Sequence, residues 1–240
     1  VSGAAWPTIT GHSWHMSRIL NPDSTTSSGL ELRRVSIRLN GRGLVEIDIV
    51  IKPGEIVTLM GPSGSGKSSL LAYICGTLSV GGTAGFEVSG QVVLNGRGLD
   101  CLAPQDRHVG ILFQDDLLFP HLSVGGNLAF ALPSSVQGRV ERRTRIEDAL
   151  ESAGLGGFAD GDPATLSGGQ RARVALMRVL LSEPGALLLD EPFSKLDAEL
   201  RDQIRTFVFE QARLRGLPTL MVTHDPDDGA AAGGRIINPV

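Results

Sequence analysis

One run of residues limits the folds open to this chain more than any other. Pro53-Gly54 breaks the preceding pattern, Glu55-Ile56-Val57-Thr58-Leu59-Met60 is a short, nearly continuous apolar strand, and it runs straight into Gly61-Pro62-Ser63-Gly64-Ser65-Gly66-Lys67-Ser68. A helical stretch follows from Lys67 to about Cys75. Strands that do not alternate are buried on both faces, as in parallel sheets covered by helices. The pattern GxxxxGK[ST] carries meaning only in this strand, loop and helix setting. There the glycines let successive backbone N–H groups turn inward, and the helix N-terminus adds partial positive charge. Gly61, Pro62, Ser63, Gly64, Ser65, Gly66, Lys67, Ser68 and the following Ser69 are therefore expected to cradle the β- and γ-phosphates of a nucleotide. Lys67 is expected to reach the phosphate oxygens as a mobile point charge, and the Ser68 hydroxyl offers a hard oxygen ligand for Mg²⁺.

The rest of the chain supplies partners for that loop. Ala186-Leu187-Leu188-Leu189 reads as a second buried parallel strand with Asp190 and Glu191 at its carboxyl end, where open α/β sheets place their ligands. Asp190 suits Mg²⁺, directly or through water, and Glu191 can polarise the attacking water, an effect worth ~10² to 10⁴ in rate. Val109-Gly110-Ile111-Leu112-Phe113 reads as a strand ending in Gln114, and Thr219-Leu220-Met221-Val222 as a strand presenting Thr223-His224-Asp225. Ahead of the glycine loop, Leu30 to Leu39 and Leu44 to Ile51 alternate, with Val45, Ile47, Ile49 and Ile51 set against Glu46 and Asp48. Such alternation marks half-buried strands, here a small antiparallel layer. From Val124 to Thr165 the pattern turns helical. Asn127 to Leu132 and Val140 to Ser152 are the helices expected there, the second setting Val140, Ile146, Ala149 and Leu150 opposite a charged face of arginines with i,i+4 partners.

The fold expected is α/β, a P-loop NTPase (RecA-like) core with a small antiparallel β layer and an inserted α-helical lobe. Its expected division is a flexible leader over 1–29 and one ATPase domain over 30–240, in which 30–114 and 166–240 form the core and 115–165 the lobe. The leader reading rests on Pro7, Pro22 and the polar tract Asp23 to Gly29, with Met16 as an alternative start. A chain of 240 residues, 41% hydrophobic, can bury a sizeable core. A net charge of −4 with scattered arginines argues against nucleic acid as a partner. No run of 18 apolar residues spans a bilayer, and no basic flank and apolar core mark a secretory signal. Cys75 and Cys101 lack metal-ligand spacing and are expected as buried small hydrophobes in a reducing compartment.

Leu166-Ser167-Gly168-Gly169-Gln170 is the discriminating element. Ser167 can cap a helix running to Leu181, while Gly168 and Gly169 remove side chains where an anion could approach backbone amides, so this is a second anion site with no nucleotide loop of its own. With the glycine loop and Asp190-Glu191, it makes the chain resemble the ATP-binding cassette (ABC) family, over about Leu30 to Ile237. The resemblance implies that each pentapeptide caps the γ-phosphate held by another copy, so that a head-to-tail homodimer sandwiches two Mg·ATP. It implies that Gln114 contacts Mg²⁺ or the attacking water, that His224 contacts the γ-phosphate and positions the water in either tautomer, and that Asp197 faces the partner copy. It also implies that Phe119, Pro120 and His121 belong to a groove receiving a membrane permease subunit. The chain then looks like the energising subunit of a solute importer, similar to short thiamine-, iron- or polyamine-type uptake ATPases. It would sit peripherally on the cytoplasmic face of the inner membrane, with an extracytoplasmic solute-binding protein as indirect partner. Little chain follows His224, so the added regulatory domain of some sugar and metal importer ATPases is not expected.

Two positions depart from the family. Lys195, within Ser194-Lys195-Leu196-Asp197, stands where a small or polar residue is more usual. Leu30 to Gly61 contains no Phe, Trp or Tyr, although the family stacks adenine on an aromatic there. Arg38 or Leu39 falls near that place, with Trp14 as a remoter substitute, and losing the aromatic would weaken binding by ~1 kcal/mol. Two other functions compete with the importer: a soluble cassette ATPase acting in translation or DNA maintenance, and a nucleotide-binding regulator that does not hydrolyse.

Overall fold

The computed structural model describes residues 28–62, 64–80 and 85–238. Ser63, Trp14, Met16 and residues 1–27 of the expected leader lie outside the described residues. Gly29 belongs to the ordered chain, because its N–H donates to the Asn95 Oδ1 at 3.0 Å and its carbonyl accepts from the Asn95 N–H at 2.8 Å.

Two sheets make up the β structure. The first is antiparallel, in the order β2–β1–β4–β5, from β1 (Leu30–Leu39), β2 (Arg42–Ile51), β4 (Phe86–Leu94) and β5 (Arg97–Gly98). Alternation in β2 sends Val45, Ile47 and Ile51 inward and leaves Glu46 and Asp48 outside. The second is parallel, in the order β6–β7–β8–β3–β9, from β3 (Ile56–Met60), β6 (Val109–Leu112), β7 (Ala186–Asp190), β8 (Thr219–Thr223) and β9 (Ile236–Ile237). Its central strands are buried along almost their whole length, which is why they read as unbroken apolar runs.

Helix α1 (Lys67–Cys75) packs between the two sheets, its Leu70, Leu71 and Ile74 joining Leu32, Ile37, Val57 and Leu188 in one core. On the other side of the parallel sheet lie α2 (Val124–Ala131), α3 (Arg139–Ser152), α4 (Gly168–Leu181), α5 (Ala198–Leu214) and α6 (Pro226–Ala232). Val124 and Leu128 of α2 and Ile146 and Leu150 of α3 share one apolar cluster with Val174, Leu176, Leu187 and Leu189. The helices between 115 and 165 are thus continuous with the core through α4.

Two expectations fail. Val140 is 80% exposed, not part of the inward face of α3: it lies in the first turn, beyond the stretch that Ile146 and Leu150 pack. Cys101 is exposed while Cys75 is buried, because Cys101 sits in the turn after β5 and Cys75 in the inward face of α1.

Candidate functional site

All four strands expected to carry chemistry release it at one edge. In the parallel sheet β6, β7, β8 and β3 are neighbours and run the same way, so Gln114, Asp190-Glu191, His224 and Gly61 all emerge at the carboxyl end.

The glycine loop is shaped by its neighbours. Gly66 precedes the first turn of α1 at φ 82°, in the left-handed region, and a Cβ there would lie 2.7 Å from the Leu44 Cβ. A side chain at Gly66 would therefore meet both backbone strain and the β1–β2 hairpin. Lys67 is only 6% exposed, and its Nζ donates to the Gly61 and Pro62 carbonyls, each at 2.7 Å. The ammonium is thus held against the loop by two of its carbonyls.

Ser68 opens α1 beside the end of β7, and its Oγ donates to the Asp190 Oδ1 at 3.3 Å. Burial pushes the Asp190 carboxyl above its usual range, opposed by the Ser68 hydrogen bond, and Glu191 next to it adds to the rise while Lys67 lowers it. A hydroxyl and a half-buried carboxylate at this spacing suit a hard cation. Among the described residues no group of three or more His, Cys, Asp or Glu forms a metal cage. Ser68 and Asp190 offer two hard oxygens of the kind Mg²⁺ takes as ligands.

Glu191 adopts φ 47°, left-handed for a residue with a side chain. Such a backbone costs on the order of 1 kcal/mol or more and persists only where its surroundings hold it. Here the Glu191 N–H donates to the Val222 carbonyl at 2.9 Å, and the Ser194 Oγ donates to the Glu191 carbonyl at 2.9 Å. The turn aims the carboxylate at β8, where Glu191 Oε1 lies 3.2 Å from His224 Nδ1. Ser68–Asp190 and Glu191–His224 are thus two polar pairs side by side at the mouth of the glycine loop.

Gln114 is exposed just beyond β6. Asp115 and Asp116 tether its segment, the first to Lys195 in the loop after Glu191 and the second to Arg171 Nε of α4 at 3.2 Å. Farther along, the fully buried Asn127 accepts from the Phe119 N–H at 2.7 Å and donates to the Phe119 and Ser123 carbonyls. That fastens Phe119, whose ring meets Phe130 edge-on at 5.0 Å and His121 at 5.9 Å. Phe130 is 71% exposed, so the cluster faces outward beside exposed Pro120 and His121.

The pentapeptide starts α4. Ser167 Oγ accepts from the Gln170 N–H at 3.3 Å while Gln170 Oε1 accepts from the Ser167 N–H at 2.8 Å, a reciprocal capping box. Gly169 allows α5 to approach, since a Cβ there would sit 3.1 Å from the Leu200 Cγ. The pentapeptide's hydrogen bonds run within α4 and its start, those of Lys67 within the glycine loop; among the described residues no hydrogen bond joins the two. Asp197 caps α5 by accepting from the Leu200 N–H at 3.0 Å. Arg38 is exposed, its guanidinium donating to the Gly41 carbonyl at 2.6 Å within the β1–β2 hairpin, and Leu44 of that hairpin is what reaches the glycine loop.

Several contributors escaped sequence reasoning. The Gln170 cap was open to detection, since Ser-x-x-Gln ahead of a helix is its signature. Asn127 stood out only as a polar residue in an otherwise apolar helix. Asp115, Asp116 and Arg171 gave no signal, and Lys195 stood out only as a departure from the family, because their pairs span 55 and 80 residues.

A family model described as ABC transporter matches residues 44–194. The Escherichia coli (strain K12) uncharacterized ABC transporter ATP-binding protein YnjD is 50% identical over 198 residues, 82% of this chain and 89% of that protein. The Fe(3+) ions import ATP-binding protein FbpC 1 of Rhizobium meliloti (strain 1021) is 42% identical over 194 residues, 80% of this chain. This chain spans about half the length of that relative, 52%. Among solved structures, cbiO1 from Clostridium perfringens, part of the ABC transporter complex cbiONQ, superposes with a TM-score of 0.76 at 27% identity, over 89% of this chain and 85% of that one.

Proposed function

The chain belongs to the ABC transporter family, and we propose that it is the ATP-hydrolysing subunit of an importer, converting nucleotide binding at the sheet's carboxyl edge into movement of membrane partners. One observation carries the reading: Ser68–Asp190 at 3.3 Å and Glu191–His224 at 3.2 Å stand together beside a glycine loop whose lysine is folded onto the loop's own Gly61 and Pro62 carbonyls.

The glycine-loop amides and Lys67 bind and orient the phosphates. Ser68 and Asp190 would hold Mg²⁺, with Gln114 as a further ligand; bound there, the ion would neutralise charge building on the phosphate oxygens. Glu191 would accept or orient the proton of the attacking water, and His224, paired with it, would contact the γ-phosphate. Leu166, Ser167, Gly168, Gly169 and Gln170 serve the site of a second copy. The start of α4, with Ser167 exposed and Gly168 half-buried, supports this. Asp197 would lie at the same dimer contact. Arg38 would reach the base only by leaving the Gly41 carbonyl.

The outward cluster of Phe119, Phe130 and His121 is the proposed seat of a permease subunit, an apolar and aromatic surface of the kind that anchors interfaces. No helix among the described residues is long and apolar enough to cross a membrane. A peripheral place on the cytoplasmic face of the inner membrane, with a solute-binding protein beyond it, completes the proposal. The relatives named for ferric ion import make iron one candidate solute, which the ATPase itself would never touch.

Glu191→Gln is the decisive variant. Steady-state hydrolysis by the full chain should fall by ~10² to 10⁴. Binding of ATP should survive, and ATP should shift the variant from monomer to dimer in analytical ultracentrifugation. An unchanged rate would remove Glu191 from the chemistry. Dimerisation that ignores nucleotide would remove the shared site.

A further inference from the structure

The turn that carries His224 is clamped from behind by a buried ionic network. Thr223 ends β8 at 2% exposure, its Oγ1 donating to Asp228 Oδ2 at 2.9 Å and accepting from the Asp225 N–H at 3.1 Å. Asp228 is 3% exposed, and its other oxygen accepts from Arg205 Nη1 at 3.0 Å. Asp225 in turn accepts from Arg201 Nη1 at 2.8 Å, and Arg201 Nη2 donates to the Leu196 carbonyl at 3.1 Å, just ahead of Asp197. Arg201 and Arg205 stand four residues apart on α5 and so share a face.

A buried ion pair is a poor way to gain stability, because desolvation offsets most of the attraction and apolar replacements often do as well. What it supplies here is a fixed geometry. The His224 side chain is 60% exposed and has little packing of its own to hold it. Its position is set by the residues on either side, Thr223 and Asp225, and both are tied to α5 through this network.

We infer that Thr223, Asp228 and Arg205 are positioning residues for His224, a buried hydroxyl–carboxylate–guanidinium relay that holds the imidazole against Glu191. The inference rests on the reading that His224 works on ATP. Misplacing a catalytic group by about 1 Å can cost on the order of 10²-fold in rate without loss of binding. The relay therefore acts on turnover and leaves nucleotide affinity alone.

The experiment is a double-mutant cycle on the full chain. Thr223→Val keeps the shape and deletes the hydroxyl; kcat for ATP hydrolysis should drop about tenfold or more with KM within about twofold. Thr223→Ser, which keeps the hydroxyl, should restore most of the rate, and Asp228→Asn should resemble Thr223→Val. In a His224→Ala background Thr223→Val should cost less than about twofold, because its effect passes through the missing ring. Full multiplication of the two losses, or a Thr223→Ser variant as slow as Thr223→Val, would overturn the relay. Wild-type turnover in His224→Ala alone would instead sink the reading on which it rests.

Discussion

Two segments close on Asp190 and Glu191 from opposite sides, and they are held in opposite ways. The His224 turn hangs on buried groups, with the Arg205 and Asp228 side chains 11% and 4% exposed. The Gln114 segment hangs on pairs at the surface: Lys195 and Asp115 are 53% and 63% exposed, Arg171 and Asp116 40% and 30%. Leu117, three residues past Gln114, adopts φ 48° and is 56% exposed. Water competes with the second set and not with the Arg205–Asp228 pair, the Arg201–Asp225 pair lying between them at 28% and 26% exposed, so the same kind of bond makes a fixed mount on one side and an adjustable tether on the other. That division suits the proposed site, in which one wall would stay with the carboxylate proposed to be catalytic while the other would answer to helices α2 to α4 and to the partner proposed for Phe119 and Phe130.

The contrast breaks most visibly at Arg205. Arg205→Ala leaves Asp228 buried without its cation and should cost about 3 kcal/mol, lowering Tm by roughly 6–12 °C. A loss under about 1 kcal/mol in thermal or denaturant unfolding would place both segments in one class.

Asp190, between the two, comes next. Burial raises its carboxyl above the usual range, so the folded state resists its ionisation. A raised acid contributes stability that is present below the ordinary carboxylate pKa of about 3.9 and is lost as pH rises through the folded value. Asp190→Asn should accordingly raise Tm at pH 7.5 by ~2 °C, a gain that shrinks toward pH 4, while hydrolysis falls. A variant less stable at pH 7.5 would show that the Ser68 contact outweighs desolvation.

Lys195→Ala should matter least: about 0–1 kcal/mol, erased in high salt. Its sharper signature is kinetic. If the tether adjusts the Gln114 segment, raising the salt concentration should change the wild-type rate and leave that of Lys195→Ala nearly flat. Equal salt dependence would leave Lys195 as a surface charge only.

Much of this site could be read from residues alone because its parts are local. The limits of β1 and α1 coincide with the patterns read for them, and β3 and the helix capped by Ser167 follow within a residue. In each case the signal and the structure it specifies lie within one turn or one strand. Reading failed where the cause was elsewhere in the chain. Periodicity put Val140 on the inner face of α3, but whether a first turn is covered depends on the neighbouring element. The place of Arg38 or Leu39, reached by counting back along the chain, is a different matter: the structure adds that the hairpin holds the Arg38 guanidinium on Gly41 and brings Leu44 to Gly66.

The sequence by itself therefore determined the glycine loop, strands β1, β2, β3, β6, β7 and β8, helices α1 to α4, and which carboxylates and imidazole end each strand, since these follow from short-range backbone sterics and burial patterns; β4, β5, β9, α5 and α6 were not read from it. Only the tertiary structure decided that the four strand ends adjoin, that Glu191 meets His224, and that Arg205 grips Asp228 while Lys195 merely tethers Asp115. Residue types are the same in a buried and an exposed ion pair. The solvent each one keeps or loses is set by packing, and that decides what the bond is worth.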